Sequence, residues 1–193
     1  MGGRPGTLRR VVAQNANLNP ELLKLDDLHD TLRKGLMCTD DFFAEINKRY
    51  PAPKPLTRKA YLREADYVKI ENRADVVYDL VSRLRAIGIR TAILSNVYKL
   101  SANILRERGR YEGFDPVLLS YEEQMAKPDP EFFSLAVKKL DVRPEEIIFI
   151  DDQAKNLPPA VNMGMHVVRA VSPDQIVRDV KKIVSRENKL QLA

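Results

Sequence analysis

Ile147-Ile148-Phe149-Ile150-Asp151-Asp152 is an apolar run that ends in two adjacent carboxylates. Its length and its β-branched residues are typical of a fully buried strand in a parallel sheet. In an open α/β sheet, ligands bind beyond the carboxyl ends of the strands, where Asp151 and Asp152 would lie. Adjacent carboxylates repel each other unless a cation relieves them, and Mg²⁺ prefers such oxygen ligands. The pattern therefore predicts a Mg²⁺ site, while aspartate also suits an ordinary turn or helix cap after a strand.

Residues 71–193 alternate between helical and extended patterns. Alternation at this spacing predicts a doubly wound, Rossmann-like parallel sheet in an α/β domain. Besides the strand that ends at Asp151, the predicted strands are 89–94, 117–119 and 166–168, and the predicted helices are 75–86, 100–108, 130–140, 154–163 and 174–184.

Residues 1–70 contain helical patterns, separated by loops rich in Pro, Asn and Gly. The starts and stops predict helices from Thr7 to Ala13, from Asn19 to Gly35, from Thr39 to just before Pro51, and onward from Thr57. Short amphipathic helices of this kind pack as a small bundle. We therefore expect a helical domain over residues 1–70 and an α/β core over residues 71–193.

Composition restricts the class of protein. A chain of 193 residues with 44% apolar content can bury a core, and it has neither a membrane-spanning run nor a signal peptide, so we expect a cytoplasmic protein without a membrane partner. The single Cys38 excludes an internal disulfide and a cysteine zinc cage, and with two histidines, His29 and His166, no His-rich metal site is expected. The net charge is +5, but the basic pairs are scattered over helices that also carry acids, so no nucleic-acid partner is expected.

Further polar residues fall at or between the ends of the predicted strands. Ser95 and Asn96 follow the strand 89–94, which places them at the same edge of a parallel sheet as the two aspartates. Pro128 favours an extended backbone at Lys127 and so restricts this lysine. A hydroxyl, an ammonium and a carboxylate pair with its metal can together bind a phosphoryl group. Taken singly, Ser95 and Asn96 also suit a turn, and Lys127 also suits a solvated surface.

Three segments resemble motifs two, three and four of the haloacid dehalogenase-like (HAD) hydrolase superfamily. They are Ala92–Asn96, Lys127–Pro130 and Ile148–Asn156, in the family's order. The sequence is most similar to the subfamily with a helical cap between motifs one and two, and residues 7–70 would be that cap. The resemblance implies a Mg²⁺-dependent phosphatase that acts on a small phosphorylated metabolite through an aspartyl-phosphate intermediate.

The resemblance also implies a role for each polar residue at the strand ends. Ser95 would hydrogen-bond the transferring phosphoryl group, Lys127 would neutralise that group and the nucleophile, and Asn96 would flank the phosphate. The remaining implied roles are Asp152 as a direct Mg²⁺ ligand, Asp151 as a ligand through a coordinated water, and Asn156 as a brace of the loop around the aspartates.

The family's first motif, an apolar strand followed by Asp-x-Asp, has no counterpart here. The acidic pairs Asp26-Asp27 and Asp40-Asp41 lie within or beside helical patterns, without an apolar run before them. In the family, the first aspartate of this motif is the nucleophile, and covalent phosphoryl transfer requires it. We therefore expect the chain as written to be inactive, and we expect the true reading frame to begin upstream of Met1.

The missing motif also has a structural consequence. In the family, the first strand is central and lies between the strands that end here at Ser95 and Asp151. Its absence would leave a gap of about 9.6 Å, or two strand spacings, unless the neighbouring strands close up. We therefore expect a sheet that lacks its central first strand.

Other functions remain open alternatives. A HAD-fold protein without catalysis could bind a phosphorylated ligand or a protein partner. A halide-removing member is less favoured, since those enzymes need no metal and usually lack the acidic pair. A response-regulator receiver places its acids before its lysine, which is opposite to the order here. Neither the substrate nor the oligomeric state follows from the sequence.

Overall fold

The computed structural model describes residues 7–57 and 75–190 of the chain. Over these residues it contains nine α-helices and four β-strands, with 3₁₀ turns at Pro20–Leu22, Pro144–Glu146 and Ala154–Asn156. The helices are α1 (Thr7–Ala16), α2 (Asp26–Arg33), α3 (Thr39–Arg49), α4 (Asp75–Ala86), α5 (Lys99–Glu107), α6 (Ser120–Glu123), α7 (Pro130–Leu140), α8 (Leu157–Asn162) and α9 (Pro173–Leu190). The strands are β1 (Ile93–Ser95), β2 (Val117–Leu119), β3 (Ile148–Asp151) and β4 (His166–Arg169).

Most of the predicted elements are confirmed. Helices α4 and α7 and strand β2 have the predicted bounds, and α3 begins at Thr39 and ends before Pro51. Proline at the first turn explains the start of α7, because its fixed φ suits that position and its missing N–H is not needed there. The helix predicted onward from Thr57 falls on residues 58–74, outside the described part of the chain.

The prediction of one helix from Asn19 to Gly35 is wrong. A 3₁₀ turn ends at Leu22, and α2 begins only at Asp26. The intervening Leu23 has an extended backbone (φ −79°, ψ 122°), and the side chains of Leu23 and Leu25 are both buried. Residues two apart share one side of an extended chain, so this break buries two leucines that a continuous helix would turn to different faces.

Strand β1 is shorter than the predicted strand 89–94. The Ile89 N–H donates to the Leu84 carbonyl at 3.0 Å, which closes the end of α4 behind Gly88. Gly88 has a φ of +84°, the left-handed conformation in which helices often end. The segment before β1 first pairs with the segment before β2 at Thr91, whose carbonyl accepts a hydrogen bond from the Asp115 N–H at 2.9 Å.

The strands form two sheets of two strands each, with the orders β1-β2 and β3-β4. Strands β3 and β4 are parallel, and Ile148 pairs with His166 while Asp151 pairs with Arg169. Among the described residues, no strand joins β1 to β3. The absence of the central first strand stays a prediction.

The chain divides into two compact units. The helical unit comprises Met1–Ile70, Ser95–Glu112 and Leu119–Ala126, and the α/β unit comprises Glu71–Leu94, Gly113–Leu118 and Lys127–Ala193. The helical unit has one apolar cluster, which consists of Val11, Val12, Ala13, Leu23, Leu25, Leu28, Leu32, Phe42, Phe43, Ile46 and Leu56. The division into a cap domain at 1–70 and a core at 71–193 stays a prediction.

In the α/β unit, helices cover both faces of the β3-β4 sheet. On one face, Phe149 packs with Phe133 of α7 and Ala160 of α8. On the other face, Val168 packs with Leu80 of α4 and Val180 of α9. Two covered faces are the arrangement of a doubly wound α/β fold, and they leave the ends of the strands for polar residues. None of the helices described is apolar over a length that could span a lipid bilayer.

Candidate functional site

Three of the predicted site residues meet in a buried polar centre of the α/β unit. The Lys127 Nζ lies 2.6 Å from the Asp151 Oδ2, and the Asn156 Nδ2 donates to Oδ1 and Oδ2 of the same carboxylate at 3.0 and 3.1 Å. The exposed fractions are 7% for Lys127, 6% for Asp151 and 2% for Asn156. We call Lys127, Asp151 and Asn156 the polar centre.

Asp151 is the last residue of β3, and its carboxylate is saturated with donors. Its Oδ1 accepts from the Gln153 N–H at 2.7 Å in addition to Asn156, and its Oδ2 accepts from Lys127. The bond to Gln153 is a local turn bond that aspartate forms readily after a strand. A buried carboxylate is stable only when it is paired and hydrogen-bonded, and Asp151 meets both conditions.

Lys127 is not a solvated surface lysine. Its ammonium donates to the Leu94 carbonyl at 2.7 Å as well as to Asp151, and it lies 5.4 Å from the centre of the Phe149 ring. Leu94 directly precedes Ser95, so the ammonium binds the backbone of β1 next to the first polar residue after the apolar run. The ammonium thus links the backbone at Leu94 to the side chain at the carboxyl end of β3, both within the α/β unit.

Asp152 differs from its neighbour because it is exposed. Successive side chains of an extended chain point to opposite sides, so the strand that buries Asp151 leaves Asp152 to solvent. Its carboxylate is therefore the member of the pair that remains open to a ligand. No group of three or more His, Cys, Asp or Glu side chains that could hold a metal is present among the described residues.

Asn156 has an unused acceptor. It is the residue before α8, but its side chain makes no capping bond to that helix, because its amide nitrogen is turned to Asp151. Its Oδ1 is buried and has no hydrogen-bond partner in the part of the chain that the structure describes. A buried acceptor without a donor costs about 1–3 kcal/mol, which marks this oxygen as a place for an added donor or cation.

Ser95 and Asn96 belong to the helical unit. Ser95 is the last residue of β1, and both side chains are partly buried. The next residue, Val97, is bound by the side chain of Ser120 through its N–H at 3.0 Å. The sequence analysis did not single out Ser120. The signal that could have found it is its position directly after strand β2, which resembles the position of Ser95 at the end of strand β1. The Leu94 carbonyl and the Gln153 N–H were also missed, since backbone groups leave no mark in a sequence.

Comparison with known proteins finds relatives of several activities. Over 153 residues the chain is 28% identical to acyl-CoA dehydrogenase family member 10 of Mus musculus, a match that covers 78% of this chain and 14% of that protein. It is 24% identical over 137 residues to the sesquiterpene phosphatase astK of Aspergillus oryzae, covering 70% of this chain and 68% of that protein. It is 36% identical over 87 residues to (S)-2-haloacid dehalogenase 1 of a Pseudomonas species, covering 45% of this chain and 38% of that protein. The chain thus spans a small part of the mouse relative.

Solved structures and a family model agree on the fold. A HAD family enzyme of Bacteroides thetaiotaomicron, crystallised with magnesium and inorganic phosphate, has a TM-score of 0.66 at 22% identity and covers 86% of this chain and 85% of its own. The family model described as haloacid dehalogenase-like hydrolase matches residues 8–164. On this match over most of its length, the chain belongs to the haloacid dehalogenase-like hydrolase family.

Proposed function

We propose that this chain is the phosphate- and metal-binding part of a cytoplasmic, Mg²⁺-dependent phosphatase that acts on a small phosphorylated metabolite. The observation that carries the proposal is the buried contact of 2.6 Å between Lys127 and Asp151, which lies beside an exposed second carboxylate. Burying an ammonium and a carboxylate costs desolvation free energy, and a well-packed apolar pair would serve folding as well. Buried charges of this kind are therefore often found at sites where the charge has a functional role. The phosphatase among the relatives supports this reaction class.

Lys127 is proposed to neutralise the phosphoryl group. Its position is fixed by two acceptors, the Leu94 carbonyl and Asp151, so it needs no rearrangement of a long flexible side chain to present its charge. Preorganised charge of this kind is the main source of stabilisation in phosphoryl transfer. Ser95 and Asn96 take the roles that their motif implies, with the hydroxyl of Ser95 as a donor to the phosphoryl oxygens and Asn96 beside them.

The acidic residues of the α/β unit fit Mg²⁺. Asp152 is exposed and would bind the ion directly, whereas Asp151 already accepts from Lys127, Asn156 and Gln153 and would act through a water. Mg²⁺ keeps several waters and commonly uses one or two carboxylates together with a substrate phosphate, so two aspartates are enough. When bound, the ion would supply positive charge that offsets the charge of the phosphoryl oxygens. Asn156 is proposed to hold the Asp151 carboxylate in place.

The nucleophile of the covalent reaction is not among these 193 residues. No two aspartates in the sequence stand two positions apart, so an Asp-x-Asp motif is absent. An aspartyl-phosphate forms only when a carboxylate attacks phosphorus, and Asp151 is saturated with hydrogen bonds. We therefore expect this chain to bind phosphate and Mg²⁺ but not to hydrolyse phosphate esters.

The test is to titrate the purified chain with inorganic phosphate in the presence and absence of Mg²⁺ and to assay hydrolysis of p-nitrophenyl phosphate in parallel. We expect Mg²⁺-dependent phosphate binding without turnover. Lys127→Met and Asp152→Asn should each weaken binding by about tenfold or more, since each removes a charge aimed at the anion or its metal. Lys155→Met is the matched control, because Lys155 is exposed and lies in the adjoining 3₁₀ turn.

Either of two results would sink the proposal. Phosphate binding that is the same in Asp152→Asn as in the wild-type chain would remove the metal site, and this exposed residue can be changed without disturbing the core. Turnover by the wild-type chain would show that a nucleophile had been overlooked.

A second function is favoured by the absence of Asp-x-Asp from the sequence. A non-catalytic HAD-fold protein could use the same lysine and carboxylates to bind a phosphorylated ligand or a protein partner. The intact mass of the protein from its native source discriminates the two functions. A mass above that of these 193 residues, with an upstream apolar strand that ends in Asp-x-Asp, supports the phosphatase, and a mass equal to theirs supports the binding protein.

A further inference from the structure

Ser120 joins three segments of the helical unit through one side chain. Its Oγ accepts from the Val97 N–H at 3.0 Å and lies 2.6 Å from the Arg33 carbonyl and 3.2 Å from the Val97 carbonyl. A hydroxyl has one hydrogen, and the shorter distance makes the Arg33 carbonyl its main acceptor. Ser120 is 0% exposed, so its hydroxyl is shielded from bulk solvent.

The end of α2 approaches the same segment closely. Gly35 has a φ of +67°, and a Cβ at this position would lie 2.3 Å from the backbone oxygen of Tyr121. Only glycine fits so near a neighbouring backbone, because a side-chain movement could not relieve the clash of a Cβ with a backbone oxygen. The Ser120 bond to Arg33 and the Gly35 contact with Tyr121 therefore hold the end of α2 against the start of α6.

Val97 is the residue directly after Ser95 and Asn96. Ser120 accepts from its N–H at 3.0 Å, so the backbone just beyond the two motif residues is held at this point. The Val97 side chain is also buried, which leaves the segment little freedom to turn. Fixing Val97 fixes the direction in which the preceding two residues leave β1.

We propose that Ser120 is a positioning residue, which sets Ser95 and Asn96 for phosphate binding and ties their backbone to the end of α2. This inference rests on the proposed function, since it assumes that Ser95 and Asn96 bind phosphate. Ser120 touches no reacting atom in this scheme. It acts through Val97, and the expected consequence of losing its hydroxyl is a loop that samples several directions.

The test uses the ¹⁵N-labelled chain with Mg²⁺ and inorganic phosphate as the probe. Ser120→Ala should raise the phosphate Kd by about tenfold or more, in line with the cost of misplacing a binding group by about 1 Å. Without phosphate, the same variant should shift the amide signals of Ser95, Asn96 and Val97 and speed hydrogen exchange at Val97. Ser101→Ala is the matched control, because Ser101 is also buried in the helical unit, and its phosphate Kd should stay within about twofold.

The outcomes separate this inference from the proposed function. If the wild-type chain binds phosphate and Ser120→Ala binds it equally well, the positioning role is overturned while the proposed function stands. If the wild-type chain binds no phosphate, both are overturned. Should Ser120→Ala fail to fold, Ser120→Cys keeps the shape with a weaker hydrogen-bonding group and carries the same expected loss of affinity.

Discussion

The two units of the chain bury different kinds of polar group. Among the residues that the structure describes, the buried polar side chains of the helical unit are the hydroxyls of Ser101 and Ser120, whereas the α/β unit buries Lys127, Asp151 and Asn156. A hydroxyl is satisfied by nearby backbone groups, but a buried charge needs an opposite charge with good geometry. The difference teaches that the helical unit is built to pack, while the α/β unit carries a costly ion pair at the carboxyl end of a strand, where this fold binds ligands.

Removing the charge of Lys127 should produce the largest loss of stability. Lys127→Met keeps the side-chain length but leaves the buried Asp151 carboxylate without its cation, which should cost about 3–5 kcal/mol of the free energy of unfolding. Urea unfolding followed by circular dichroism measures the loss. The exposed Lys155→Met should change stability by no more than about 0.5 kcal/mol.

A double variant sharpens the same comparison. Lys127→Met combined with Asp151→Asn removes both charges, so it should be more stable than Lys127→Met alone, because no unpaired charge remains buried. If the double variant lost as much free energy of unfolding as Lys127→Met and Asp151→Asn lose together as single variants, Lys127 and Asp151 would not be coupled. The buried charge would then not be what distinguishes the α/β unit.

Two glycines, one in each unit, allow a second comparison between the units. It concerns how closely the neighbouring backbone packs against a glycine with a left-handed φ. Gly35→Ala should cost more than about 2 kcal/mol, because the left-handed φ is strained for alanine and the added Cβ meets the Tyr121 oxygen at 2.3 Å. Gly88→Ala carries a similar strain at φ +84° but has no atom within 4 Å of the added Cβ, so it should cost about 1–2 kcal/mol. Equal losses in thermal unfolding would mean that the Gly35 contact adds nothing.

The sequence predicted the elements whose signals are local. Pro130 starts α7, Gly88 ends α4, and the run before Asp151 is β3, because cap, breaker and apolar run each act within a few residues. The HAD resemblance named the residues of the polar centre, although the roles proposed for them stay predictions. The family itself is confirmed by the match over residues 8–164.

The missed features depend on contacts between distant segments. The extended backbone of Leu23 and the break before α2 are explained by the burial of Leu23 and Leu25 in the helical core, which no local propensity reveals. The bond from Ser120 to Arg33 spans 87 positions, and the bond from Lys127 to the Leu94 carbonyl spans 33. Such partners are set by the packing of the chain as a whole, so a single sequence cannot name them.

The smallest effect concerns His29, a partly buried titratable ring of the helical unit. Burial is the largest effect, and it lowers the pKa of His29 below the ordinary value of 6.5. The charges of Asp26 and Asp27 raise this pKa by smaller amounts, and those of Arg9 and Arg33 lower it further. The Nε2 is buried without a hydrogen-bond partner among the described residues, and the ring lies 6.5 Å from the Phe42 ring and 6.1 Å from that of Tyr98.

The sign of the pH dependence follows from the lowered pKa. Above pH 6.5 the ring is neutral in both the folded and the unfolded chain, so it adds no pH dependence. As the pH falls below 6.5, the unfolded chain takes up the proton first, and stability falls by at most about 1.4 kcal/mol per pH unit until the folded pKa is reached. Carboxylates such as Glu45, whose pKa the hydrogen bond from Arg49 lowers from 4.5, lose their contribution only below that value. Urea unfolding at pH 7.5 and at about pH 5.5 should therefore show a loss of stability that His29→Gln abolishes. A loss of the same size in His29→Gln would mean that His29 does not cause the pH dependence.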